Sequence, residues 1–316
     1  MQKLVASLLE KTLGQLGETL PQYTLQHLQL ISKAEALKQI HFPASQSLLS
    51  RAQLRLKFEE FFYIQLQLIL KNLQRKQKIK GHVFAEVGTN FLTFYNDQLP
   101  FRLTDAQKRV IKEIRFDLGS GRQMNRLLQG DVGSGKTIVA LLCMLIAMDN
   151  GYQSTLVAPT EILAQQHFQS LQTLLENSSV QCALLTGSTP NKVRNELHEK
   201  LQSGALHILV GTHAVFEEKV KFHQLGLAVI DEQHRFGVAQ RAKLWRKNDI
   251  PPHVLVMTAT PIPRTLAMSI YGDLDSSVID QLPPGRKAIK TLHRYDSNRL
   301  KVFAFLKSQI ESGRQV

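Results

Sequence analysis

The chain is poor in cysteine and in acidic charge, and it has no hydrophobic run long enough to cross a bilayer. Two cysteines among 316 residues, Cys143 in an apolar helical run and Cys182 beside an expected strand, cannot build a disulfide framework and have no metal-ligand spacing. A reducing, cytoplasmic setting is the expectation. The greasiest stretches, "FFYIQLQLIL" and "ALLCMLIAM", are roughly half the length of a membrane span. The start, "MQKLVASLLEKTLGQLG", is amphipathic with an early acid, without the basic start and long apolar core of an export signal. A soluble protein is expected. The shortage of acids leaves 39 Lys and Arg against 26 Asp and Glu, a formal charge of +13. Such a field attracts polyanions, nucleic acid foremost. A hydrophobic share of 43% excludes a disordered chain and suffices for one large or two modest domains.

No internal repeat or low-complexity tract is present, but the character of the chain changes near residue 100. Before it the pattern is helical. Residues 51–74 place Leu54, Phe58, Phe61, Phe62, Leu66, Ile69, Leu70 and Leu73 at helical spacing, predicting one long amphipathic helix that ends in the basic run "RKQKIK". That run reads as a solvated helix end, with DNA backbone contact as the alternative. Beyond "QLPFRLTDAQ", short β-branched runs alternate with helical stretches, which predicts an α/β fold with a mostly parallel sheet. The expected strands are 126–129, 154–158, 182–185, 207–211, 227–231 and 254–258. In open sheets of this class, ligands bind beyond the carboxyl ends of the strands.

Two of those strand ends carry chemistry. Gly130, Asp131, Val132, Gly133, Ser134, Gly135, Lys136 and Thr137 spell G-x-x-x-x-G-K-[ST] between a strand and a helix. Glycines there let backbone N–H groups converge on phosphates, Lys136 reaches the β and γ phosphates, and Thr137 offers a hydroxyl to Mg²⁺. ATP and Mg²⁺ are the expected cofactors. The strand "LGLAVI" then ends in Asp231 and Glu232, adjacent acids that are costly unless a cation faces them. Asp231 is expected to hold Mg²⁺ through its water shell, and Glu232 to polarise the attacking water. Gln233 and His234 follow, and a further strand ends in "TATPIPRT", with Thr258 and Thr260 at the same rim. These groups could report the γ phosphate; for His234, a plain surface histidine stays an open alternative.

The strings "LTDAQKRVIKEI", "QGDVGSGKT", "APTEILAQQH", "VGTHAVF", "IDEQHRFGVAQR", "MTATPIPRTLA" and "LPPGR" run in order over residues 101–286. Together they resemble the first, RecA-like motor lobe of a superfamily 2 helicase, and closely resemble the RecG family of ATP-dependent DNA helicases. Transcription-repair coupling factors share the "HRFGV" and "TATPIPRTL" character and are the neighbouring resemblance. The RecG resemblance implies that Gln107 reads adenine, with Phe101 packing beside the ring. It implies DNA-contact loops at "APTE" and "GTHA", where Thr160 and Thr212 sit near helix starts that can take a phosphate. It also implies that Arg235 and Arg241 link the ATP site to DNA or grip its backbone, although salt-bridged surface arginines are an equal alternative.

The resemblance predicts a helical linker region over 1–98, a RecA-like ATP-binding lobe over 99–286 and the start of a second lobe over 287–316. No all-β stretch like that family's wedge precedes residue 51. "AIKTLHRYDSNRLKVFAFLKSQIESGRQV" reads as strand, helix and the first residues of another strand, so a fragment of a longer motor is expected. The implied activity is ATP-driven remodelling of branched DNA. The competing expectations are a nucleotide- and DNA-binding module without efficient turnover, and a coupling-factor-like translocase.

Overall fold

The computed structural model describes residues 2–232, 250–260, 274–281 and 291–316. Met1–Leu282 form one compact unit and Pro283–Val316 a second.

The first unit opens with four helices: α1 (Gln2–Thr12), α2 (Gln22–His27), α3 (Lys33–His41) and α4 (Gln46–Lys78). Ser32 and Ser45 start α3 and α4 by accepting the Glu35 and Leu48 backbone N–H on their hydroxyls, which satisfies donors that the first turn leaves over. Helix α4 runs 33 residues because no glycine or proline interrupts it, outrunning the expected 51–74 at both ends. Its apolar stripe is only partly covered: Phe58 and Phe62 are half-buried and stacked on each other. Leu54, Phe61, Leu66, Ile69, Leu70 and Leu73 are all exposed, whereas Arg55 is fully buried. The Arg55 guanidinium is held by Glu18 and Glu59, each at 2.5 Å, and Lys33 reaches Glu59 at 3.0 Å. Periodicity identifies the stripe correctly but cannot say whether anything covers it.

The chain then crosses onto the α/β body. Arg75, from the basic run, donates to Gln123 Oε1 at 3.4 Å, and Lys80 forms an isolated antiparallel bridge with Arg122. Phe84 is buried against Tyr152 and the His253 ring. The Asp149 carboxylate accepts from the Gly88, Asn90 and Phe91 backbone N–H groups, capping α5 (Thr89–Thr93). Residues 79–98, assigned to the linker region from sequence, thus pack directly on the lobe.

In the lobe, α6 (Asp105–Leu118) leads to β1 (Asn125–Gly130), α7 (Lys136–Asp149), β2 (Gln153–Val157), α8 (Glu161–Leu174), β3 (Cys182–Leu185), α9 (Asn191–Gln202), β4 (Ile208–Gly211), β5 (Leu225–Asp231), β6 (His253–Thr258) and β7 (Asp275–Ile279). The sheet order is β3-β4-β2-β5-β6-β1-β7, and every pairing is parallel. The six strands expected from sequence are all present. The seventh, β7, reads "DSSVI" and lacks a hydrophobic run; it forms because β1 offers it an edge to pair with. Helix α7 is buried continuously from Ile138 to Ala147, as an all-round apolar helix under a covered sheet should be. Burial pushes the Cys143 and Cys182 thiols up to about 12, so neither is poised as a nucleophile. No described helix is long and apolar enough to cross a membrane.

The second unit holds α10 (Arg299–Glu311) after a turn at Asp296–Asn298. The strand expected over "AIKTLHRYD" lies partly outside the described residues, and residues 291–295 and 314–316 are not in strands. A strand needs a neighbour to take its backbone hydrogen bonds, and no strand is present among the described residues of this unit.

Candidate nucleotide-binding site

The sheet order decides which strand ends meet. Strands β5, β6 and β1 are neighbours, with Asp231 opposite Met257 and Gln129 opposite Thr258. Parallel pairing brings the Gly130–Thr137 loop, the Asp231–Glu232 pair and Thr258–Thr260 to one edge, although they are far apart in sequence.

The loop has the backbone of a phosphate cradle. Gly133 and Gly135 adopt φ of 75° and 84°, a left-handed conformation that is strained for any residue with a Cβ. A Cβ on Gly135 would also fall 2.3 Å from Gln107 Nε2. The Ser134 N–H donates to the Asp131 carbonyl at 3.0 Å and the Val132 N–H to Asp131 Oδ1 at 2.7 Å. Ser134 is buried, with no partner for its hydroxyl among the described residues, whereas Val132 is exposed. Lys136 begins α7, and its Nζ donates to the Gly130 and Asp131 carbonyls at 2.7 and 3.0 Å. An ammonium has three N–H donors, so among the described residues one is not taken up. Burial holds the Lys136 ammonium below its ordinary range, partly offset by the charges of Asp231, Glu232 and Asp131. Thr137 is half-buried in the first turn of α7.

Opposite the loop, Glu232 stands at φ 50°. A non-glycine residue in that region costs about 1–3 kcal/mol and persists only where surrounding contacts impose it. Here its N–H donates to the Met257 carbonyl and its Oε1 accepts the Ala259 N–H, each at 3.0 Å. The carboxylate is thereby tied to the "TAT" segment, where the Thr260 N–H donates to Thr258 Oγ1 at 3.2 Å. Asp231 is engaged through Oδ2, 2.7 Å from His167 Nε2. Its Oδ1 has no hydrogen-bond partner among the described residues. Mg²⁺ keeps several waters and needs one or two carboxylates plus substrate phosphates. One available oxygen on Asp231, whose charge is felt at Lys136, together with a hydroxyl on Thr137 in the first turn of α7, suits that ion.

Gln107 is brought to the site, and each end of its amide makes one hydrogen bond there. Oε1 accepts the Thr104 N–H at 2.8 Å in the capping box of α6, and Nε2 donates to the Ser134 carbonyl at 2.8 Å. Gln107 is 2% exposed and braces the loop; an amide has a second N–H and a second oxygen lone pair, so these two bonds leave each end one further hydrogen bond. Phe101 is 48% exposed and lines a cleft of about 540 Å³ with Tyr95, Asn96, Leu99, Pro100, Arg102 and Lys108. Thr160 caps α8, its hydroxyl accepting the Leu163 N–H at 3.3 Å. Thr212 precedes the short helical turn His213–Phe216 and is 2% exposed with its hydroxyl enclosed. The exposed residue of that turn is His213. Gln233, His234, Arg235 and Arg241 lie outside the described residues. His167 was overlooked as a site residue although it ends the string "APTEILAQQH". The available signal was its spacing, seven residues from the Thr160 cap and so on the same stripe of α8.

Residues 104–269 match the family model described as DEAD/DEAH box helicase. The chain is 48% identical over 316 residues to the ATP-dependent DNA helicase RecG of Synechocystis, covering all of this chain and 38% of that protein. It is 43% identical over 315 residues to RecG of Bacillus subtilis, covering all of this chain and 46% of that one. A solved structure of RecG bound to a three-way DNA junction matches with a TM-score of 0.78 and 36% identity, over 99% of this chain and 42% of that one. The helicase MrfA bound to DNA matches with a TM-score of 0.52 and 18% identity, over 73% of this chain and 36% of that one, a likeness of fold alone. The chain thus spans less than half the length of the relatives it matches.

Proposed function

The chain belongs to the DEAD/DEAH box helicase family, and we propose that it carries the ATP-binding motor lobe of a RecG-type, ATP-dependent DNA helicase. In that role it acts in the cytosol on branched DNA, at stalled forks and junctions, in recombination and repair. The observation that carries the reading is the convergence of Lys136, Asp231 and Glu232 on one sheet edge, with Glu232 held at a strained backbone angle and fastened to Ala259. Lys136 meets the β and γ phosphates. Thr137 and Asp231 would hold Mg²⁺, which when bound neutralises phosphate charge. Glu232 orients the attacking water, and its tie to the "TAT" segment links water placement to that loop. The net charge of +13 and the similarity to a RecG bound to a DNA junction support DNA as the partner. Backbone contacts are assigned to the start of α8 at Thr160, and to Arg235 and Arg241. The test is Glu232→Gln, expected to bind Mg-ATP like its parent while phosphate release falls by about 10²-fold or more. A variant that hydrolyses at the parental rate removes Glu232 from this role.

A second reading, nucleotide and DNA binding with little turnover, is favoured by the arginines after residue 290. Arg294 donates to the His293 carbonyl, Arg299 lies over the Phe303 ring, and Arg314 donates to Gln309. Each is engaged locally, whereas P-loop NTPases gain about 10³–10⁵ in rate from an arginine on the transferring phosphate. Phosphate release near one per second by the purified chain with branched DNA would sink this second reading.

A further inference from the structure

The His167–Asp231 contact joins two elements that the sequence does not link. His167 sits on α8, which follows β2, and Asp231 ends β5, the neighbour of β2 in the sheet. Nε2 and Oδ2 are 2.7 Å apart, with the two side chains 15% and 13% exposed. A carboxylate only accepts, so the hydrogen is on Nε2. The bond occupies one oxygen of Asp231 and leaves Oδ1 as the oxygen for a cation's water shell. Anchoring of α8 does not need this bond, since Ala164 and Leu171 already bury its apolar side.

We propose that His167 is a positioning residue for the metal site: its Nε2–H holds Asp231 in the orientation that presents Oδ1. The inference rests on the nucleotide-site reading given above. Partners that orient metal-holding groups typically contribute about 10–100-fold in metal affinity, far more than a surface hydrogen bond would.

The test is a titration of Mg²⁺ into the chain mixed with a fluorescent ADP analogue, beside the same binding in EDTA. His167→Ala is expected to raise the Mg²⁺ midpoint about tenfold while leaving metal-free nucleotide binding unchanged. His167→Gln keeps an N–H donor at similar reach and should restore most of the loss. A purely packing role would lower the melting temperature in both variants without moving the Mg²⁺ midpoint. A folded His167→Ala chain with its midpoint within about twofold of the parent overturns the proposal. Should His167→Ala not fold, ¹⁵N imidazole spectra of the parent decide. A His167 ring protonated at Nε2, with a signal that moves when Mg²⁺ joins bound ADP, supports the role, and a signal indifferent to Mg²⁺ overturns it. A parent chain that binds no nucleotide would instead refute the underlying site reading.

Discussion

The helices before residue 79 and the sheet-centred lobe after residue 100 reach compactness by opposite routes. The lobe buries aliphatic side chains on both faces of a parallel sheet, and α7 disappears into it over ten consecutive residues. The front buries a guanidinium and leaves most of its long apolar stripe in the open. Hydrophobic burial is non-directional and scales with area, so the lobe gains stability from bulk packing. The Arg55 cluster contributes only while every charge in it is met, since buried ions forfeit several kcal/mol of hydration each. The lobe should therefore tolerate conservative volume changes, whereas the front should be intolerant at one point and indifferent along its surface.

The largest expected effect lies in the lobe. Leu145→Ala removes a side chain 1% exposed at the middle of α7 and should destabilise the lobe by about 2–5 kcal/mol. Chemical unfolding followed together with nucleotide binding should show both failing at one transition. A loss under about 1 kcal/mol would mean that the α7 core is not the packed centre described here. Next comes Arg55→Ala, which leaves Glu18 and Glu59 without their shared cation; about 3 kcal/mol is expected. That loss should appear as faster hydrogen exchange in α3 and α4, with nucleotide binding retained. Failure of the lobe in this variant would erase the contrast between the two regions.

A pH scan sharpens the seam between them. His253 is buried against Phe84, its Nδ1 accepts the Met124 N–H, and its Nε2 donates to the His82 carbonyl. Burial pushes its pKa down from 6.5 to about 4. The unfolded chain takes up a proton as pH falls past 6.5, whereas the folded chain resists until about 4, so stability is full above that window and is lost through it. About 3 kcal/mol is at stake across the window, roughly 2 of it by pH 5. Urea midpoints at pH 7.5 and 5 measure it, and a flat profile would mean that the ring is hydrated. The smallest effect belongs to the open stripe. Phe61→Ser on α4 should change stability by no more than about 0.5 kcal/mol, and a loss above 1 would show that the stripe is covered.

Much of the site was legible in sequence because its parts are local. A glycine-rich turn between a strand and a helix, and two acids at a strand end, need only neighbouring residues to be recognised. The hydrogen bond of Gln107 to the loop was not legible, since the Ser134 carbonyl that it meets is 27 positions away. The burial of the Thr212 side chain was not legible either: proximity to a helix start does not say which way a side chain turns. The dependence on Ala259 and the positive φ of Glu232 likewise follow from the pairing of β5 with β6.

By itself the sequence determined the alternation of strands and helices, the phosphate loop and the acidic pair, because periodicity, turn chemistry and strand ends are set by residues within a few positions of one another. Tertiary structure alone decided what those elements meet. It paired the polar "DSSVI" with β1, set His167 against Asp231 across 64 positions, enclosed Arg55 and left most of the stripe of α4 bare. A hydrophobic pattern states what a segment would bury if it had a partner, and only the assembled chain supplies or withholds one.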